Sequence, residues 1–435
     1  MNRRFEPRGS LRGTLTPPPD KSISHRAALI GAMCGEAVIE GFLNANDTRS
    51  TLAAVRAVGA ELEVSPSSER STRSDGLDVV IRGPGLRDPS SAEIDVGNAG
   101  TLLRLMPGWL AGVEGGAWSF DGDASIRRRP VDRIAEPLGA MGALIECRDG
   151  RLPPLRIQGA ELHGVEHTLP IASAQVKSCL LLAGLLADGP TTVIEPAPTR
   201  DHTERMLAAA GAKLAVDSER VTIEPGAELD LGLVEVPGDI SSAAFPIVAA
   251  LLVADSEVEI AGVGLNPSRS GLLTVLERMG AELEVDEGAS VASEPQGSIR
   301  VRSHDLRGTE IGGDEVPLAI DELPLLALAA CFAEGETVIS DAAELRHKES
   351  DRIATVCEAL VAIGGDVEAT DDGMVIRGAG ALSGGTIDSH GDHRLALLGA
   401  VAGLASREGV TVRGFDAAEV SYPGFESSLA VLTGG

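Results

Sequence analysis

Five short motifs place cations where local folding preference gives them no reason to be. KSISHR (Lys21, Ser22, Arg26) and DHR (Asp392, His393, Arg394) each open a long apolar run with helical spacing. SIRRRP holds Arg127, Arg128 and Arg129, TRDHTER holds Arg200, and LRHKESDR holds Lys348, Glu349 and Arg352. Lysine is scarce: Lys21, Lys177, Lys213 and Lys348 stand against 33 arginines and 65 acidic residues. A Lys or Arg at an exposed helix N-terminus opposes the macrodipole by about 0.3–1 kcal/mol. A bound anion explains such a position better than helix formation does. Several guanidinium groups with a lysine suit two separate anionic groups, because the planar fork meets phosphate or carboxylate bidentately. Lys348 and Arg352, four apart, are expected on one helical face, where a salt-bridged surface helix is the competing reading.

Other chemistries fit less well. There is no GxSxG, and no cysteine lies beside a cationic loop. SHGDHR offers His390, Asp392 and His393 as part of a metal site, but a complete site needs further ligands, so no metal is expected. The net charge of −28 opposes nucleic acid and anionic membranes as partners. An anionic substrate therefore needs a local basic cluster that overrides the global field. The acidity itself fits either salt adaptation or coding bias. Five cysteines (34, 147, 179, 331 and 357) show no CxxC or metal-type spacing; four lie in apolar or helical runs and read as buried thiols of a reducing cytoplasm. MNRRFEPRGS lacks an apolar signal core, and no apolar run reaches the ~18 residues that span a bilayer. A soluble cytoplasmic protein is expected.

The elements that must carry these motifs repeat. VGAELEV (58–64) returns as MGALIEC (141–147), AGAKLAV (210–216), MGAELEV (279–285) and IGGDVEA (363–369). The pivot glycines are Gly59, Gly142, Gly211, Gly280 and Gly364, each expected just past a helix end, with an alternating strand after it. A polar cluster opening a long Ala/Leu helix recurs six times, at DKSISHRAAL, VGNAGTLLRL, ASAQVKSCLLLAGL, GDISSAAFPIVAAL, AIDELPLLALAA and SHGDHRLALLGA. The chain is thus six copies of about 70 residues, the last shortened, each with two helices and about four strands. Helices apolar most of the way round belong inside, with sheets outside. Three units per domain puts the break near Pro237–Ile240. The N-terminal domain is expected at 20–238, and the C-terminal domain at 239–435 plus residues 1–19, whose strand pairs with the far domain. Ser65–Asp75 is expected to be an exposed hairpin loop. The helix mouths then gather Lys21, Ser22 and Arg26; Asn98, Gly100 and Thr101; Ser173 and Gln175; 239–242; Asp321 and Glu322; and Asp392, His393 and Arg394. Three N-termini per domain facing across a cleft form an anion trap.

KSISHR, GNAGT, RRRP, SAQVKS, TRDHTE, IDELP, LRHKESDR, DHR and SYPGF, in this order, resemble the 5-enolpyruvylshikimate-3-phosphate synthase family over about Pro18–Phe425. The resemblance implies a two-domain inverted α/β barrel, each domain with three-fold pseudo-symmetry, closing on its substrates. It implies transfer of the enolpyruvyl group from phosphoenolpyruvate to the 5-hydroxyl of shikimate 3-phosphate, with release of phosphate. Ser22, Arg26, Ser173, Ala174 through its backbone, Arg200, Asp321 and Lys348 would hold shikimate 3-phosphate. Lys21, Gly100, Arg129, Gln175, Arg352 and Arg394 would hold phosphoenolpyruvate, with Asn98, Thr101 and His393 in support. Asp321 would act as base on the 5-hydroxyl, and Glu349 would exchange a proton with the methylene carbon, assisted by Lys21. No cofactor is implied, and members are usually monomeric.

Two positions depart from the family pattern. Some relatives carry a phosphoenolpyruvate-contacting lysine where this chain has Val420. Many read Ser-Ser-Gln where it has Ser173-Ala174-Gln175. Gly100 is the form that goes with sensitivity to glyphosate, so inhibition is expected. The competing readings are UDP-N-acetylglucosamine enolpyruvyl transferase, which would place a reactive cysteine in the ASIRRRP loop where none is present, and a non-catalytic ligand-binding relative.

Overall fold

All five pivot glycines take positive φ: 110° at Gly59, 110° at Gly142, 95° at Gly211, 99° at Gly280 and 97° at Gly364. Each follows a helix end and reverses the chain into a strand, a conformation that costs a side chain but not glycine. The computed structural model describes residues 1–434 apart from 68–75, 289, 291 and 292. It divides into two units: Met1–Pro18 with Gly238–Ala289 and Pro295–Gly435, and Pro19–Pro237 with Ser290–Glu294. The last segment, counted with the C-terminal repeats by sequence, groups with the N-terminal unit. There His202 Nδ1 lies 2.7 Å from Glu294 Oε1, and Arg205 donates to the Ser293 carbonyl at 3.1 Å.

The N-terminal unit contains α1 (Lys21–Met33), α2 (Asn46–Ala57), α3 (Gly100–Ala111), α4 (Asp132–Ala140), α5 (Ala174–Gly184) and α6 (His202–Ala209). Its strands form three four-stranded sheets of one design. In the first, Ala37–Phe42 pairs antiparallel with Leu77–Arg82, which pairs antiparallel with Glu61–Pro66. The outer parallel strand always comes from another repeat: Ala92–Asp95 lies beside Ala117–Asp121, and Glu166–Thr168 beside Thr191–Ile194. Gly232–Glu235 returns to Ala37–Phe42 and completes the three-fold circuit. Of the loop expected over Ser65–Asp75, Ser65 and Pro66 belong instead to the strand Glu61–Pro66, and 68–75 lie outside the described residues.

The C-terminal unit contains α7 (Ile240–Leu252), α8 (Gly271–Arg278), α9 (Val316–Ala319), α10 (Leu323–Phe332), α11 (Arg352–Ala362), α12 (His393–Ala405) and α13 (Phe425–Leu432). Arg12–Leu15 supplies the parallel strand beside Glu257–Gly264. Arg3–Phe5 pairs antiparallel with Val410–Arg413, in the place that a hairpin strand takes in the other sheets. The sixth sheet is therefore three-stranded and the other two four-stranded. The expected barrel is built from separate sheets: among the described residues, no sheet closes on itself in either unit.

Helix burial follows the even spread of apolar residues. Every residue of α10 except Phe332 is buried, and α1, α3, α5, α7 and α12 are buried over most of their length. Small side chains allow close approach. At Gly108 in α3 a Cβ would stand 2.1 Å from the Cys179 carbonyl oxygen in α5. Only glycine permits so close an approach of the two helices there. Among the described residues, no helix is long and apolar enough to cross a membrane.

Candidate active site

In the N-terminal unit, Asp20 caps α1 by accepting the Ile23 N–H at 2.8 Å, which leaves Lys21 at the first helical position. Lys21 Nζ lies 3.3 Å from Asp47 Oδ2, and Asp47 is itself buried in the first turn of α2. Arg26 is only 4 % exposed, yet its partners are all neutral: Thr203 Oγ1 at 2.7 Å, the Ser22 carbonyl at 3.0 Å and Ser178 Oγ at 3.1 Å. Among the described residues it makes no ion pair. Desolvation draws its pKa down to about 10, with the pull of Glu204 insufficient to offset it. A buried guanidinium without a contacting carboxylate is unfavourable by itself.

The remaining N-terminal residues surround the mouths of α3 and α5. Ser173 caps α5, its Oγ accepting the Val176 N–H at 3.5 Å, and Ala174 is the first helical residue. Gln175 Nε2 donates to Thr101 Oγ1 at 3.2 Å, linking the two helices. Arg129 Nη2 donates to Asn98 Oδ1 at 3.4 Å, and Asn98 donates in turn to Asp123 at 2.6 Å. A Cβ on Gly100 would stand 2.7 Å from Arg129 Nη1 and 3.1 Å from Arg104 Nη1. The missing side chain is what lets both arginines lie over the α3 N-terminus.

In the C-terminal unit the charges interlock. Asp321 Oδ1 lies 3.3 Å from both Lys348 Nζ and Arg352 Nη1; its Oδ2 lies 3.7 Å from Arg269 and 3.9 Å from Arg394. Arg352 Nη2 is 2.6 Å from Glu349 Oε2, so one guanidinium carries both candidate catalytic carboxylates on neighbouring nitrogens. Its Nε reaches Asp392 Oδ2 at 2.8 Å; these two side chains are 1 % and 0 % exposed. Burial opposes the charge on Arg352, but Asp392, Glu349 and Asp321 together raise its pKa. Conversely, Arg352 and His393 hold the Asp392 carboxyl low against the desolvation of burial and the repulsion of Glu349. Arg394 donates to Ser241 Oγ at 2.6 Å and lies 3.5 Å from Glu322, while Ser241 also bonds Glu322.

The expectation that Lys348 and Arg352 share a helical face is wrong. Ala343–His347 is a 3-10 turn, Lys348 is extended, and α11 begins only at Arg352. Asp351 causes the break by capping α11 through the Ala354 N–H at 3.1 Å. The two cations meet at Asp321 instead. Arg200 lies half-buried just before α6, and Val420 ends the 3-10 helix Phe415–Val420. Asp392 of SHGDHR pairs with Arg352, and His390 Nε2 lies 3.5 Å from Glu358 Oε2. Sequence reasoning missed Asp47, Arg104, Asp123, Ser178, Thr203 and Arg269. Arg269, 3 % exposed in NPSRSG, was detectable only as a charge beside an apolar helix. Burial pushes the Cys34 and Cys357 thiols up to about 11 and that of Cys331 to about 12, which disfavours their thiolates.

The family model described as EPSP synthase (3-phosphoshikimate 1-carboxyvinyltransferase) matches residues 5–429. The chain belongs to the EPSP synthase family. It is 50 % identical over 432 residues to the 3-phosphoshikimate 1-carboxyvinyltransferase of Synechococcus sp. (strain JA-3-3Ab), covering 98 % of this chain and 96 % of the relative. It is 47 % identical over 436 residues to that of Desulforudis audaxviator, covering 99 % of both. The EPSP synthase structure from Acinetobacter baumannii superposes with a TM-score of 0.84 at 40 % identity, covering 99 % of this chain and 97 % of that one. Membership and fold thus agree with the order of the motifs.

Proposed function

We propose that this chain transfers the enolpyruvyl group of phosphoenolpyruvate to the 5-hydroxyl of shikimate 3-phosphate in the shikimate pathway of the cytoplasm. The products are 5-enolpyruvylshikimate 3-phosphate and phosphate. Besides family membership, the observation that carries this reading is the buried, carboxylate-free seat of Arg26 beside the N-termini of α1 and α5. Arg26, Ser22, Ser173, the Ala174 backbone, Arg200, Lys348 and Asp321 are assigned to the sugar phosphate. Lys21, Gly100, Arg129, Gln175, Arg352 and Arg394 are assigned to phosphoenolpyruvate, supported by Asn98, Thr101 and His393. Glyphosate, itself anionic, is proposed to compete at Gly100 and Arg129.

The chemistry asks for two proton transfers of opposite sense. The methylene carbon of phosphoenolpyruvate gains a proton, the sugar 5-oxygen loses one as it bonds to the neighbouring carbon, and a tetrahedral adduct results. Loss of phosphate and of one methyl proton then restores the double bond. Glu349, assisted by Lys21, is assigned to the carbon proton and Asp321 to the hydroxyl proton. Asp321 Oδ1 lies 3.3 Å from both Lys348 Nζ and Arg352 Nη1, so the proposed base shares its cations with the residues assigned to the anionic groups. The arginines supply fixed positive charge to the adduct.

The test is phosphate release by the purified protein with phosphoenolpyruvate and shikimate 3-phosphate, run beside phosphoenolpyruvate with UDP-N-acetylglucosamine. Release with the first pair alone is expected. Release with the second pair alone, or silence with both from folded protein, overturns the reading.

A further inference from the structure

Lys177 is one of only four lysines and has no place in the substrate assignments above. It lies on α5 with its side chain 2 % exposed. Its Nζ is 2.6 Å from Glu195 Oε2, 2.7 Å from Glu204 Oε1 and 3.5 Å from the Thr199 carbonyl oxygen. Glu195 directly follows the strand Thr191–Ile194 and also accepts the Thr199 hydroxyl; Glu204 lies in the first turn of α6. One ammonium therefore ties down both ends of the 195–201 segment and the helix that follows it. Arg200 is the next residue after Thr199. Beside Lys177, Ser178 Oγ and Thr203 Oγ1 lie 2.7 Å apart and both accept from Arg26.

Stability alone is a poor reason for this arrangement. Two buried carboxylates share one ammonium, and burial pushes the Glu204 carboxyl up despite the pull of Lys177. Apolar side chains of similar volume often serve a fold as well or better than a buried ionic cluster. What such a cluster supplies is a single geometry, because each partner has a narrow range of good positions.

We infer that Lys177, Glu195 and Glu204 form a buried positioning clamp that fixes the 195–201 segment and so presents Arg200 to the phosphate of shikimate 3-phosphate. This rests on the proposed function. Lys177 touches no substrate and acts through the segment it holds.

Phosphate release is measured for the wild type, Lys177→Met, Thr199→Val, Arg200→Ala and the Lys177→Met/Arg200→Ala pair, varying each substrate in turn. Lys177→Met is expected to raise the KM for shikimate 3-phosphate about tenfold or more, with kcat and the phosphoenolpyruvate KM within about threefold. Thr199→Val removes one bond of the segment and keeps Lys177 with its carboxylates. It should raise the same KM by about threefold or more, and it carries the test if Lys177→Met does not fold. Because Lys177 acts through Arg200, the pair should add less than about threefold to Arg200→Ala alone. A purely structural role would lower kcat through lost active protein and leave both KM values unchanged. That result, or additive effects in the pair, overturns the clamp. A raised KM in Arg200→Ala beside an unchanged KM in both Lys177→Met and Thr199→Val overturns it too, while the proposed function stands. An unchanged KM in Arg200→Ala overturns the assignment of Arg200 and the clamp with it. A wild type silent with shikimate 3-phosphate overturns the proposed function itself.

Discussion

Replacing Gly100 by alanine perturbs one point of the site by a known amount. The new Cβ would stand 2.7 Å from Arg129 Nη1 and 3.1 Å from Arg104 Nη1. The first distance is about 0.8–1.3 Å inside ordinary non-bonded contact. Both obstacles are ends of flexible side chains, so the guanidinium groups give way rather than the backbone. Gly100 is the first residue of α3, where alanine is the better helix former, so stability should hold or rise slightly. The cost falls on function. A hydrogen bond to a charged group contributes about 1.5–3 kcal/mol, and displacing Arg129 by most of an ångström forfeits a large part of one such bond. About tenfold in the phosphoenolpyruvate KM follows, with the glyphosate inhibition constant raised at least as much and the shikimate 3-phosphate KM within about threefold. Phosphate release at varied phosphoenolpyruvate, with and without glyphosate, measures all three, and a thermal melt confirms folding. A folded variant whose phosphoenolpyruvate KM and glyphosate sensitivity both match wild type would refute the placement of that substrate at Gly100 and Arg129.

Three further outcomes are expected. Asp321→Asn and Glu349→Gln should each lower kcat by about 10²–10⁴ without loss of folding, measured by single-turnover phosphate release; a fall below tenfold removes that residue from proton transfer. Arg352→Met leaves the fully buried Asp392 without its main cation and should cost about 3–5 kcal/mol in a urea titration; a loss under about 1 kcal/mol means that Asp392 finds another partner. His25 is wholly buried, and its pKa is held well below the ordinary 6.5 by desolvation and then by Lys21 and Arg26. The unfolded chain therefore takes up a proton below pH 6.5 that the folded protein refuses, and stability falls by about 1.4 kcal/mol per pH unit as pH drops from 6.5 towards the folded value. Urea midpoints at pH 7 and 5.5 should show a smaller drop in His25→Gln than in wild type, and equal drops would rule out His25 as the source.

The repeat was legible because its signals are local. A helix, a glycine in the left-handed region and an alternating strand sit within about twenty residues of one another, and all five pivot glycines take the expected conformation. The same local logic placed a helix start at KSISHR, SAQVKS and DHR, where Asp20, Ser173 and Asp392 act as caps. It failed at LRHKESDR, where periodicity suggested one helix and the stronger signal was the Asp351 cap that starts α11 after Glu349. It also gave no warning that 290–294 would group with the N-terminal unit, since His202 and Glu294 are 92 positions apart.

Sequence alone determined the six-unit architecture, the family and the identity of the cations and carboxylates, because apolar spacing, turn chemistry and ordered motifs are properties of neighbouring residues. Tertiary structure alone decided what each charge meets. Arg26 is 177 positions from Thr203, Arg352 is 40 from Asp392, and Arg394 is 153 from Ser241. Those pairings make Arg352 a saturated hub that holds three carboxylates, and Arg26 a buried cation with only neutral partners. No local pattern separates the two arginines. The difference arises because a charge in a low-dielectric interior takes its energy from whichever groups the converging backbones bring within a few ångströms.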